Sequence, residues 1–130
     1  MNTETIAECM KASFANTPFP AVLQKLAGAG VTAYNADLIA LRNTYYGAAS
    51  ASIDEALPLT DSPEIAARFD RAAVAATVKS VQRKEIGYAD FLRQIMQAGC
   101  ARYSVYIGGR VAIYFGRDGE NYTEPFPAVK

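Results

Sequence analysis

A gapless shift of 69 residues lays residues 19–58 over residues 88–127 and aligns the residues that punctuate secondary structure. Leu23 falls on Leu92, Ala29-Gly30 on Ala98-Gly99, Tyr34 on Tyr103, Tyr45 on Tyr114, Gly47 on Gly116, Glu55 on Glu124 and Pro58 on Pro127. Leu26 over Ile95 and Tyr46 over Phe115 are conservative matches. A chain that repeats its helix-ending glycines and strand tyrosines at one spacing is constrained to repeat a supersecondary unit. Extended leftwards, the same offset sets the first helix near the end of a later, longer one. Each half then reads helix-helix-hairpin, over about residues 5–58 and 73–127 of a single domain spanning residues 1–130. The fold class expected is α+β: two pseudo-repeated units whose hairpins form one antiparallel sheet, packed with helices.

Local signals supply the elements. Thr5 and Glu8 have the spacing of a capping box, which places a first helix over residues 5–15 until Pro18 stops it. Pro20 opens a second helix with Val22, Leu23 and Leu26 on one stripe, closed by Gly28 and Gly30. Residues 31–38 and 41–47 alternate as a hairpin, with Tyr34, Ala36, Leu38, Leu41 and Tyr45 on one face and Asn35, Asp37, Arg42 and Thr44 on the other. Ser62-Pro63-Glu64 predicts the start of a long Ala-rich helix running to about Arg83. A short helix over residues 88–98 follows, closed by Gly99. Gly108-Gly109 and Asp118-Gly119 predict two-residue turns in a closing three-stranded meander. That register puts Tyr103, Val105, Ala112 and Tyr114 on one face and Tyr106, Val111, Ile113, Phe115 and Tyr122 on the other, and the match of Tyr103 and Tyr114 to Tyr34 and Tyr45 marks the first as the core face. Five large apolar side chains on one open face call for a cover: the long helix, a second copy of the chain in a homodimer, or a ligand.

Composition closes off several chemistries. The 130 residues are 51% hydrophobic and 20% charged, enough apolar mass for a core. Thirteen basic residues balance 13 acidic ones, against the basic excess of a nucleic-acid binder. With no histidine there is no Ser-His-Asp triad, no Cys-His nucleophile and no imidazole metal site. Cys9 and Cys100 have no CxxC partner and no neighbouring base, so both are expected as buried, reduced thiols. No apolar run approaches the length of a membrane span. The expectation is a cytoplasmic protein with no metal, no cofactor, no nucleic acid and no membrane contact.

The stretch IGYADFLRQIMQAGCARYSVYIGGRVAIYFGRDGENYTEPFP, residues 86–127, resembles a bacterial family catalogued as domain of unknown function 1398, some of whose members carry the label "phage envelope protein". GAGVTAYNADL and TYYG in the first half follow the same family, so the resemblance covers nearly the whole chain. It implies one domain and a bacterial setting, and it brings no activity with it.

Eight tyrosines in a chain without histidine or tryptophan are the compositional oddity. They suit half-buried strand faces, and they also suit a ligand-stacking lining, for which Tyr103 is the leading candidate. Glu55 and Glu124 occupy matched positions and would do acid-base work only if they lay close together. Arg110 and Arg117 flank the IYFG strand and would hold an anion if they faced a cleft. The ligand-binding candidates are therefore Tyr103, Arg110, Glu55 and Glu124. Tyr106, Val111, Ile113, Phe115 and Tyr122 are the interface candidates, and no residue is assigned a catalytic role. Three functions remain open: a non-catalytic binding or assembly module that self-associates; a small-molecule-binding protein or enzyme using Tyr, Arg and Glu in a crevice between the repeats; and a phage-derived structural or interaction protein.

Overall fold

In the computed structural model, which describes residues 1–126, the chain opens with two helices, α1 (Thr3–Phe14) and α2 (Phe19–Gly28). Three strands follow, β1 (Val31–Asp37), β2 (Arg42–Gly47) and β3 (Ser52–Ala56). The second half repeats that order with α3 (Arg71–Gln82), α4 (Tyr88–Gln97), β4 (Cys100–Tyr106), β5 (Val111–Gly116) and β6 (Asn121–Pro125). The six strands form one antiparallel sheet in the order β3-β2-β1-β4-β5-β6, so the two halves meet at β1 and β4. Residue starts 31 and 100, 42 and 111, and 52 and 121 each differ by 69, as do the starts 19 and 88 of α2 and α4. Left-handed backbone recurs at the same spacing, at Gly30 and Gly99, Leu41 and Arg110, and Ser50 and Gly119. Asn35 lies opposite Ser104, its own counterpart under that offset, and the two side chains are hydrogen-bonded. Pro127, matched to Pro58 above, lies outside the described residues.

The helices cover one face of the sheet. Tyr34, Ala36, Tyr45, Tyr103, Val105, Ala112 and Tyr114 point into a core shared with Ile6, Met10, Leu26, Val78, Leu92 and Ile95. These strand residues lie on the face that alternation assigned to the core, joined by Asn43, which sits opposite Ala36 and is buried. The other face carries Tyr46, Asn35, Arg102, Tyr106, Val111, Ile113 and Phe115, exposed or half-buried, with no helix over it. The long helix therefore does not cover that face. Lys79 and Gln82 of α3 reach Glu124, opposite Ala112, on the core side.

Several local expectations give way to tertiary contacts. The helix predicted from Ser62 begins at Arg71, capped by Asp70, whose carboxylate accepts from the Ala73 amide at 3.0 Å. The chain before it is irregular because its backbone is engaged elsewhere. Ala66 N–H donates to the Met96 carbonyl, Asp70 N–H to the Ala98 carbonyl, and the Ile65 carbonyl accepts from Arg117. Asn2, not Thr5, caps α1, accepting from the Thr5 amide at 3.0 Å. The first half holds a third strand, β3, where no element was expected; it is a short edge strand with outward Ser52, Asp54 and Ala56 and with Ile53 and Glu55 half-buried. The turn after β5 spans three residues, 117–119, not two, since Phe115 pairs with Asn121 and Gly116 N–H meets the Glu120 carbonyl. One extra residue reverses the face of everything beyond it. Tyr122 consequently lies opposite Tyr114 on the core side and leaves the proposed interface set.

Candidate functional site

A cleft of about 590 Å³ opens between the α1–α2 pair and the α3–α4 pair, with the inner face of the sheet as its floor. The floor is Tyr34 of β1, Tyr103 and Val105 of β4, and Ala112 and Tyr114 of β5. Phe19 and Val22 of α2 form one wall; Val78 and Val81 of α3, with Tyr88 and Phe91 of α4, form the other. Alternation puts the tyrosines inward, and the helical spacing of Tyr88 and Phe91 turns both toward them. The rings pack edge-on and tilted: Phe91 lies 6.3 Å from Tyr103 and 6.2 Å from Tyr114, and Tyr103 lies 5.3 Å from Tyr114. The Tyr88 and Tyr103 hydroxyls share a hydrogen bond.

The two walls are joined at the rim. Helix α4 starts at Gly87 with no side-chain cap of its own, and the Tyr88 N–H instead donates to Asn16 Oδ1, 2.9 Å away across the cleft mouth. Asn16 holds a left-handed conformation, φ 67°, which asparagine adopts more readily than most residues. A Cβ at residue 87 would come within 2.7 Å of that same Oδ1, so the approach requires Gly87.

Glu124 is the charged group of the floor. The residue is 7% exposed, and its carboxylate accepts from Lys79 Nζ at 3.2 Å, Gln82 Nε2 at 3.3 Å and the Tyr122 hydroxyl. Burial pushes the Glu124 carboxyl up, but the hydrogen bonds from Tyr122, Gln82 and Lys79 and the Lys79 charge outweigh it and hold the group below the usual carboxylate value. Burial raises the phenols instead, Tyr88 to about 12 and Tyr34, Tyr103 and Tyr114 well above the ordinary value. The floor at neutral pH is thus a set of neutral phenols beside one satisfied carboxylate, suited to stacking and hydrogen bonding. Burial likewise raises the Cys9 and Cys100 thiols, which favours their protonated form.

Of the four ligand-binding candidates, the structure brings together Tyr103 and Glu124. Arg110 sits at the β4–β5 turn with its guanidinium 5.6 Å from the ring of Phe126, which lines the cleft, and Arg110 itself is not among the lining residues. Glu55 lies on the opposite edge strand and accepts from the Tyr45 hydroxyl at 3.2 Å. Five inter-strand steps separate β3 from β6, about 24 Å. The matched carboxylates therefore do not form a catalytic pair. Arg117 is held by the Ile65 carbonyl. Sequence reasoning missed Asn16, Lys79 and Gln82, whose partners lie 42 to 72 residues away. Tyr34 and Tyr114 carried a signal, each being one half of a matched pair in the 69-residue shift.

Among the described residues, no helix is long and apolar enough to cross a membrane, and no group of three His, Cys, Asp or Glu side chains is placed to hold a metal. Fold and site together define an α+β protein with a six-stranded sheet, helices on one face and an aromatic-floored cleft between its two helix pairs. The chain belongs to the family described as "Protein of unknown function (DUF1398)", whose model matches residues 7–124. It is similar to uncharacterized proteins of Mycobacterium bovis and of two Mycobacterium tuberculosis strains. Each is 29% identical over 112 residues, covering 86% of this chain and 68% of the relative.

Proposed function

We propose that the protein binds a small organic molecule with a flat apolar body in the cleft between the helix pairs. The observation that carries this reading is the cleft itself: about 590 Å³, with three tyrosine rings in its floor and Tyr88 and Phe91 in its wall. That size and that mixture of apolar surface with a few convergent polar groups are those of ordinary ligand sites. Binding rather than catalysis follows from the chemistry of the floor, whose phenols are neutral and whose carboxylate is already satisfied. Descent of the two halves from one duplicated unit accounts for the site, since the cleft then arises where two copies of a helix-helix-strand unit abut.

Native mass spectrometry of the purified protein, with a thermal titration against 2-naphthol, tests the reading. The expected result is a retained organic mass or a melting midpoint that rises with 2-naphthol, and its loss in Ala112→Phe, which fills the floor. No retained mass and no rise in the wild type refutes it.

Self-association is a second reading, favoured by the bare outer face of the sheet, where Tyr46 and Tyr106 are 40% and 41% exposed beside half-buried Val111, Ile113 and Phe115. The occupant is a second copy of the chain. Light scattering of Ile113→Lys decides it: a drop from dimer to folded monomer supports the reading, and a wild type already monomeric at high concentration refutes it.

A further inference from the structure

Behind Tyr34 and Tyr88 lies a second, much smaller cavity of about 10 Å³, room for a single water-sized group. Its wall shares Ser13, Val22, Tyr34 and Tyr88 with the large cleft, so the two spaces adjoin through those side chains. Asn43 and Tyr45 complete its polar side. The 69-residue offset makes them the counterparts of Ala112 and Tyr114 in the cleft floor, so an amide stands here where the other half has a methyl.

Asn43 is 3% exposed, and its Oδ1 is a buried side-chain polar atom without a hydrogen-bond partner among the described residues. The orientation of that amide follows from its neighbours. The Glu55 carboxylate can only accept, and it takes the single proton of the Tyr45 hydroxyl at 3.2 Å. Tyr45 Oη must then accept in turn, which it does from Asn43 Nδ2 at 3.2 Å. The chain Glu55, Tyr45, Asn43 thus fixes the nitrogen toward Tyr45 and leaves the oxygen as an acceptor with nothing to accept. A buried carbonyl oxygen left in that condition is costly, and folded proteins keep few of them.

We propose that Asn43 Oδ1 is the inner acceptor of the binding site and takes a hydrogen bond from a hydroxyl or N–H group on the ligand. The inference rests on the cleft being a ligand site and narrows its ligand to a flat apolar molecule carrying one terminal donor. The body lies over Tyr103 and Tyr114, and the donor reaches between Tyr34 and Tyr88 into the small cavity. Glu55, which sequence matching paired with Glu124, acts at a distance from the ligand as a positioning residue: it orients Tyr45, which orients the amide.

The test uses the full chain and two probes of nearly equal shape, 2-naphthol, which has a donor, and 2-methoxynaphthalene, which has none. Titration calorimetry is expected to show 2-naphthol binding about tenfold more tightly, the effect of satisfying a buried acceptor. Asn43→Ala reproduces the residue found at the equivalent position of the other half, and it is expected to bring the ratio to about one by weakening 2-naphthol alone. A readout that needs no variant accompanies it: in the ¹⁵N-labelled wild type, 2-naphthol shifts the Asn43 side-chain amide signals and 2-methoxynaphthalene leaves them in place. Equal binding of both probes to the wild type overturns the proposal while leaving the cleft reading intact, as does a tenfold preference that survives Asn43→Ala. Failure of both probes to bind the wild type overturns the proposal and the cleft reading together.

Discussion

Replacing Gly99 by alanine isolates what the irregular segment before α3 does to the fold, because Gly30 supplies a matched control. Both glycines follow the helix that precedes the first strand of their half, and their φ values are nearly equal, +90° at Gly99 and +92° at Gly30. An alanine at either position bears the cost of left-handed backbone, about 1 kcal/mol. Their surroundings differ. A Cβ at residue 30 meets nothing closer than 3.6 Å, ordinary contact with Met1. At residue 99 it would lie 2.0 Å from the Arg68 carbonyl oxygen and 2.8 Å from the Phe69 Cα, both backbone atoms. That backbone cannot retreat without loosening the 2.7 Å hydrogen bond from Asp70 N–H to the Ala98 carbonyl. Overpacking against a fixed neighbour adds about 2 kcal/mol, so Gly99→Ala is expected to cost about 3 kcal/mol and Gly30→Ala about 1. With a urea slope of about 1.5 kcal/mol per molar, midpoints fall by about 2 M and about 0.7 M respectively. Gly109→Ala, in ordinary contact at 3.5 Å and without positive φ, serves as the unperturbed reference. Equal midpoints for the variants at residues 30 and 99 would refute the close approach of the Arg68 carbonyl, and with it the account of why residues 61–70 are not helical.

Asn16→Gly keeps the left-handed backbone but removes the cap on α4, and its urea midpoint should report a loss of about 1 kcal/mol; no loss would mean that the Tyr88 amide finds another acceptor. Alkaline titration followed by near-ultraviolet absorbance should find Tyr88 ionising at about 12, raised by burial, and Tyr122 at about 12, raised by its hydrogen bond to Glu124 and by burial. Because these folded values exceed the unfolded one near 10, the stability they contribute is complete below pH 10 and lost as pH rises toward 12, about 3 kcal/mol for Tyr88 alone. Glu124 has the opposite sign: its carboxyl is held below the usual 4.5, so its contribution is present above that pH and lost as pH falls through the folded value. Glu124→Gln should therefore lie below the wild type in stability at neutral pH and approach it in acid; a constant gap across that range would show that Tyr122, Gln82 and Lys79 do not hold the carboxyl below its usual value.

Short-range chemistry in the sequence determined a good deal of this protein. Period-two alternation placed Tyr34 and Tyr45 on the buried face, the 69-residue match carried that assignment to Tyr103 and Tyr114, and all four are there, because a strand residue's side is settled by its neighbours along the chain. Proline marked where α2 begins and glycine where α2 and α4 end, to within a residue or two, since those residues set the backbone directly. The absence of histidine removed whole classes of chemistry before any geometry was known.

What only the tertiary structure decided has a common cause: a local preference worth about 1 kcal/mol competes with distant partners that supply several such interactions at once. Ser62-Pro63-Glu64 is a sound helix start, yet Met96, Ala98 and Arg117 hold residues 65–70 in an irregular path. Strand β3 shows outward polar residues and becomes a strand because β2 offers it a ladder. One residue in the β5–β6 turn moved Tyr122 to the other face. The cleft was the least legible feature, because its volume belongs to no segment. It is the space left when α1 and α2 pack on one half of a sheet and α3 and α4 on the other, and its size depends on side chains such as Tyr34, Tyr88 and Ala112 that never adjoin in sequence. The orphaned oxygen of Asn43 is of the same kind: alternation sets that residue on the side of Leu41 and Tyr45, and only the packed core shows how deeply it is buried and which of its atoms is left without a partner among the described residues.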